Sequence, residues 1–263
     1  MTIEETFLLN RELSGEYVVD IHLHSMRWSM FIAGEFTRVL SHFRLMGVSA
    51  GIVSDLNEYE NPCDNNGRVK TLVEENKDLL LGAVYINPNR TKTAAEMEKE
   101  LDTCAASGAF TCIKLHPFNN GRQVDDPVYY PVYGRARSLG YPILVHTWGC
   151  EEIRKIETVA QKFPQVNFIA GHCGGDLDAS MLAGKIAARL DNLYLDYTCS
   201  FAYANLLEYL VKKAGVQKIL FGSDAAMTSF DSSLGKVVFA DISDKDKRDI
   251  LGLNAKRLFP LLA

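Results

Sequence analysis

The feature that most constrains this chain is an alternation repeated eight times. Short apolar runs at 17–24, 48–55, 79–86, 110–116, 141–146, 166–172, 193–198 and 218–223 have strand character. They are near-continuously apolar, as strands buried on both faces of a parallel sheet should be. Longer amphipathic segments at 36–46, 67–77, 93–106, 131–138, 151–163, 179–190 and 204–213 lie between them, and two more at 235–240 and 244–259 follow the last. Helix boundaries carry the expected signals. Thr93 stands three residues before Glu96, the spacing of a capping box, and Gly47 and Gly140 follow helical segments. Eight strand–helix units in 263 residues leave about 33 residues per unit, the economy of a (β/α)8 barrel. An open doubly wound sheet shows the same alternation, but the count of eight favours the barrel. No low-complexity stretch or Pro/Gly/Ser linker interrupts the series, so residues 1–263 read as a single α/β domain, a TIM barrel.

Charge and composition remove several classes of function. Lys and Arg number 28 against 33 Asp and Glu, a net charge of −5, which offers no basic footprint for nucleic acid or anionic membrane. No apolar run approaches the roughly 18 residues needed to span a bilayer. The opening Met-Thr-Ile-Glu-Glu-Thr is acidic, and the apolar stretch at 7–9 is too short for a signal peptide, so a cytoplasmic protein is expected. The six cysteines, at 63, 104, 112, 150, 173 and 199, form no C-x-x-C pair and are read as reduced thiols.

The histidines are distributed unevenly. Of six, His22, His24, His116, His146 and His172 end apolar strand candidates, while His42 falls within a helical pattern and reads as an ordinary helix residue. In a parallel barrel the C-terminal strand ends converge on one mouth, where the catalytic groups of this fold sit. In Val-Val-Asp-Ile-His-Leu-His, residues 18–24, strict alternation would place Asp20, His22 and His24 on one face and Val19, Ile21 and Leu23 on the other. Two imidazoles so spaced can share one divalent ion; a pair of structural histidines is the competing explanation. His146, His172 and Asp224, at the ends of the fifth, sixth and eighth runs, would complete such a site.

The ordered set resembles the amidohydrolase superfamily, and its family 2 branch most closely. The motifs are Asp-Ile-His-Leu-His at 20–24, Ile-Lys-Leu-His-Pro at 113–117, Val-His-Thr at 145–147, Gly-His-Cys-Gly-Gly at 171–175, Phe-Gly-Ser-Asp at 221–224 and Asn-Ala-Lys-Arg-Leu-Phe at 254–259. The resemblance implies a distorted (β/α)8 barrel with a divalent metal at the C-terminal face of its strands. His22, His24, His146 and Asp224 match the ligand positions, Asp224 also the proton-exchanging position, and His172 a group that polarises substrate or binds a second metal. Lys114 matches a lysine that bridges two metals in binuclear relatives. Because His116 lies nearer the mouth, Lys114 is expected to sit too deep to bridge; an internal ion pair with Asp20, Asp196 or Asp224 is the competing explanation for it. One metal ion is therefore expected: zinc, with manganese, iron or nickel acceptable to the same donors.

Such an ion activates water for attack on a carbonyl, with Asp224 as proton carrier and His172 facing the developing negative charge. The leading expectation is hydrolysis of a small lactone, amide or ester. The alternative is a lyase, since the same branch contains decarboxylases of unsaturated or aromatic acids; a silent ligand-binding barrel is a third reading. Lys114 and His116 are expected to face substrate or support the ligands. Arg27 would meet a substrate carboxylate, and Trp148 would wall the mouth, with Trp28 and Met30 as further wall residues. Short loops point to a small-molecule substrate, or to a homo-oligomer in which a second subunit completes the site.

Overall fold

The computed structural model describes residues 1–25, 36–57, 64–91, 93–198 and 203–262. Eight parallel strands follow one another in the order β1 to β8 and close into a TIM barrel. They are β1 (Val19–His24), β2 (Ala50–Ser54), β3 (Leu80–Tyr85), β4 (Phe110–Leu115), β5 (Ile143–His146), β6 (Phe168–Gly171), β7 (Leu193–Asp196) and β8 (Ile219–Leu220). The seam between β8 and β1 is irregular. Ile21 N donates to Phe221 O at 3.1 Å, Asp224 N to His22 O at 2.8 Å and His24 N to Ala225 O at 2.7 Å. The eighth run expected at 218–223 therefore yields only a two-residue strand, and beyond it Phe221, Asp224 and Ala225 meet β1 through single backbone bonds.

The outer layer comprises α2 (Phe36–Met46), α3 (Asn65–Glu75), α4 (Ala94–Ala106), α6 (Tyr130–Leu139), α7 (Cys150–Lys162), α8 (Leu177–Ala187), α9 (Leu206–Ala214) and α10 (Phe230–Val238). Their apolar faces and the outward strand residues form one large core, including Phe43, Leu101, Tyr133, Ile156 and Leu210. The Thr93 box caps α4: its hydroxyl accepts from Glu96 N at 3.2 Å while Glu96 Oε2 accepts from Thr93 N at 3.0 Å. Gly140 ends α6 at φ 69°, where its amide reaches back to Ala136 and Arg137 carbonyls. Two short elements have no counterpart in the sequence reading. Helix α1 (Ile3–Asn10) is held by a Thr2–Glu5 capping box, and α5 (Pro117–Asn120) follows β4.

A second cluster fills the barrel floor. Val19, Ile21, Ile52, Cys112, Leu144, Ile169 and Leu220 pack there against Ala255, Phe259 and Leu262. The chain reaches that floor through α11 (Asp244–Arg248), a π-helical turn at Asp249–Leu253, and α12 (Asn254–Leu258). The single helix expected at 244–259 is thus interrupted, at the point where Gly252 packs directly against the Tyr17 carbonyl with no room for a side chain. Among the described residues no helix is long and apolar enough to cross a membrane. Cys104, Cys112, Cys150 and Cys173 are free thiols.

Candidate metal centre

Strand β1 departs from strict alternation, and the site depends on it. Val19 and Ile21 pack into the floor, Leu23 into the outer core, and the pairing with β2 slips between Asp20 and Leu23. The slip turns both His22 and His24 into the barrel. Their Nε2 atoms stand 3.1 Å apart. Asp224, just beyond β8, brings its Oδ1 to 3.1 Å from His24 Nε2 and 3.8 Å from His22 Nε2. It adopts φ 61°, a left-handed conformation that aspartate tolerates better than most residues and that the two seam bonds on either side of it enforce. One donor atom from each of the three residues lies within 4.8 Å of the others, and all three residues are buried.

The surroundings aim these atoms. His24 Nδ1 lies 3.0 Å from Ser54 Oγ and His22 Nδ1 2.6 Å from Asp196 Oδ2, so the outer nitrogen of each ring is occupied and the inner one faces its neighbour. Burial, followed by the positive Lys114 nearby, holds His22 well below the usual imidazole range, and burial lowers His24 as well. Burial alone would raise the Asp224 carboxyl; the hydrogen bond from His24 and the surrounding imidazoles reverse this and hold it well below the usual carboxylate range. The donor set fits a divalent cation. Two neutral imidazole nitrogens and an ionised carboxylate converge, and two nitrogens bound to one ion at about 2.0–2.1 Å stand roughly 3 Å apart.

The remaining polar residues form a shell around this trio. Lys114 is fully buried, its Nζ 2.6 Å from His22 Nε2, and burial lowers it to about 8. It lies against a ligand nitrogen, sealed within the barrel. In place of an ion pair with Asp20, Asp196 or Asp224, its nitrogen meets the histidine, and two of the carboxylates, Asp224 and Asp196, act on it through space. Asp20 Oδ1 accepts from His22 N at 3.1 Å and Ser223 N at 3.0 Å, tying β1 to the residue before Asp224, while its Oδ2 has no partner and burial pushes the carboxyl up to about 8.

His172 also adopts a left-handed conformation, φ 60°, with Nδ1 donating to Thr198 O at 2.9 Å and its ring 4.9 Å from that of His22. His146 stands outside the trio. Its Nδ1 lies 3.1 Å from His172 Nε2, and its ring stacks on His116 at 4.0 Å and 12°. His116, which accepts from Asn119 N at 3.3 Å, is pushed by burial down to about 2. Trp148 lies nearly parallel to His146, with centroids 6.4 Å apart at 13°, and is 42% exposed at the mouth. Its indole rests on Gly175, where a Cβ would fall 2.5 Å from ring atom Cε3. Away from the mouth His42 pairs with Asp231 at 2.7 Å on the surface. Arg27, Trp28 and Met30 lie outside the described residues. Sequence reading gave Asp196 only a role beside Lys114 and passed over Ser54. For Asp196 a signal existed: a carboxylate ending the apolar run Leu-Tyr-Leu-Asp, just as the histidines end theirs.

The family model described as Amidohydrolase matches residues 19–261. The chain belongs to the amidohydrolase family. No curated protein matches it. Solved structures share its fold at low identity. A dihydroxybenzoic acid decarboxylase from a Polaromonas species, with bound manganese and the inhibitor 2-nitroresorcinol, has TM-score 0.76 and 15% identity, over 94% of this chain and 98% of that one. A 5-carboxyvanillate decarboxylase from Novosphingobium aromaticivorans, with manganese and 4-hydroxy-3-methoxy-5-nitrobenzoic acid, has TM-score 0.72 and 12% identity over 94% and 98%. A 2,6-dihydroxybenzoate decarboxylase from Rhizobium has TM-score 0.72 and 16% identity over 94% and 100%.

Proposed function

We propose that this amidohydrolase-family chain is a metal-dependent decarboxylase of a small aromatic or unsaturated carboxylic acid. The observation that carries the reading is the pairing of the buried His22–His24–Asp224 trio with a mouth walled by three near-parallel rings, His116, His146 and Trp148. A planar acid can lie against such faces while its carboxylate points inward. The decarboxylases among the structural neighbours favour the same chemistry over the hydrolysis expected first.

His22, His24 and Asp224 would hold the ion, with the His172 ring 4.9 Å from that of His22 and His146 joined to His172 beyond it. Manganese, present in two neighbours, and zinc both suit nitrogen and oxygen donors. When bound, the ion supplies positive charge that orients an anionic substrate and stabilises charge developing on it. The net change replaces a carbon–CO2⁻ bond with carbon–H: the bond breaks, CO2 leaves, and the carbon takes a proton. Asp224, ionised at rest, would take a proton from solvent water and deliver it to the carbon as CO2 leaves. His172, whose Nδ1–H is held by Thr198 O and whose Nε2 meets His146 Nδ1, would face negative charge building on the substrate only as the imidazolium, with both ring nitrogens protonated. Trp148 and His116 hold the planar ring. Lys114, sealed behind His22, acts on the ligands and not on the substrate.

Hydrolysis of a lactone, amide or ester is the second reading, favoured by the ionised Asp224, which serves equally well as a base for water. Protein reloaded with manganese or zinc and supplied with 2,6-dihydroxybenzoate, 5-carboxyvanillate and related acids should release CO2. Metal-dependent cleavage of esters or lactones, with no CO2 from any acid of this class, would establish the hydrolase instead.

A further inference from the structure

Asp196, at the end of β7, has both oxygens engaged inside the barrel and is fully buried. Its Oδ2 receives two donors: His22 Nδ1 at 2.6 Å and the backbone N–H of His172 at 3.3 Å. Its Oδ1 accepts from the Thr198 hydroxyl. We infer that Asp196 is a positioning residue that fixes His22 as the Nδ1–H tautomer and so turns the Nε2 lone pair toward His24 and Asp224.

The hydrogen-bond inventory of the ring decides the tautomer. A neutral imidazole carries one proton, and a ring nitrogen facing a carboxylate must be the one that bears it. The other nitrogen is then a lone pair, the form a cation requires. Lys114 reports the same assignment from the opposite side, because its ammonium can only donate and lies 2.6 Å from His22 Nε2. The carboxylate also pins the amide of His172, whose φ of 60° is a conformation few histidines hold unaided. One side chain of β7 thereby sets the orientation of residues on β1 and after β6. The inference requires His22 to be a ligand, but not any particular reaction.

Two variants test it, read in the metal-free protein by 15N histidine NMR for the tautomer and by chelator-competition titration with Mn2+ for affinity. Asp196→Ala should weaken Mn2+ binding by about 10–100-fold, with His22 no longer confined to the Nδ1–H form. Asp196→Asn makes a sharper prediction. The His172 N–H can only donate, whereas the Thr198 hydroxyl can accept, so the amide oxygen should face the two histidines and the NH2 group should face Thr198. Asp196→Asn should therefore keep the Nδ1–H tautomer and most of the affinity. If the amide instead turned and the ring switched to Nε2–H, affinity should fall with it, again as inferred. Wild-type affinity in Asp196→Ala would overturn the inference. So would any Asp196→Asn protein whose affinity fails to follow its tautomer; this arm stands even if Asp196→Ala does not fold.

Discussion

Gly222 lies where three of the residues that shape the centre meet, and replacing its hydrogen with a methyl group is a direct probe of how closely they are fitted. A Cβ there would overlap Thr198 Oγ1 and Asp196 Oδ1 and come within 2.9 Å of His22 Cβ, closer than real Cβ atoms approach. None of these atoms is free to swing away. The two oxygens bond each other, Asp196 also holds His22, and His22 is fixed by its own strand. Overpacking of a filled interior costs about 1–3 kcal/mol, a large share of the roughly 5–15 kcal/mol that keeps a domain folded. At about 2–4 °C per kcal/mol for a chain of this size, Gly222→Ala should melt about 2–12 °C below the parent. Mn2+ affinity should fall about tenfold or more, because the methyl group displaces the carboxylate that orients His22. Gly235→Ala is the control. Its Cβ meets only Phe239 at 3.8 Å within α10, so the change should raise stability by about 0.5–1 kcal/mol and leave metal binding alone. Thermal melts and Mn2+ titrations of both variants decide the matter, and a Gly222→Ala protein that melts and binds like the parent would refute the packing argument.

Asp224→Asn should retain part of the metal affinity while turnover on a true substrate falls about 10²–10⁴-fold; unchanged turnover would remove Asp224 from proton transfer. Chelation should lower the melting temperature, and readdition at about 100 times the dissociation constant should restore about 2.7 kcal/mol, whereas a melt indifferent to metal would argue against the trio as a binding site. Trp148→Ala should raise KM for aromatic acids about 2–10-fold with little change in kcat, and equal effects on aliphatic acids would deny it a stacking role. Below pH 6.5 the unfolded chain gains protons that the lowered imidazoles of His22, His24, His116 and His146 refuse until their depressed folded values are reached. The metal-free protein should accordingly lose up to about 1.4 kcal/mol per pH unit for each ring as pH falls, less what the raised carboxyls of Asp20 and Asp196 return. Urea melts at pH 7 and 5.5 measure this, and equal stabilities would contradict it.

The architecture was legible because it is written in period and in strand-end chemistry. Eight apolar runs gave eight strands, and the Thr93 and Gly140 signals marked helix boundaries where the structure has them. The convergence of His22, His24 and Asp224 followed from placing them at strand ends of a parallel barrel. What escaped depended on departures from regularity. The slip in β1 that sends Ile21 to the floor while His22 also points inward leaves no mark in an alternating pattern. The reach of Lys114 to His22 depends on side-chain length across the barrel and not on sequence spacing. The π-helical turn at Asp249–Leu253 lies where Gly252 meets Tyr17, more than 230 positions earlier in the numbering. His146 ends its strand as expected, yet its ring is drawn into the stack with His116 and the bond to His172.

The trio has a mechanical side as well. Two of its members belong to the first strand and the third follows the last, so the cation they are built to share would act as a clasp across the line where the sheet meets itself. That line is joined by scattered bonds and the shortest strand of the eight. Loss of the ion should then be felt first as local fraying between the two ends of the sheet, well before the helical coat loosens. Amide exchange at Ile21, His24 and Asp224 would register such breathing, and it gives the protein a way to take up or surrender its metal without unfolding.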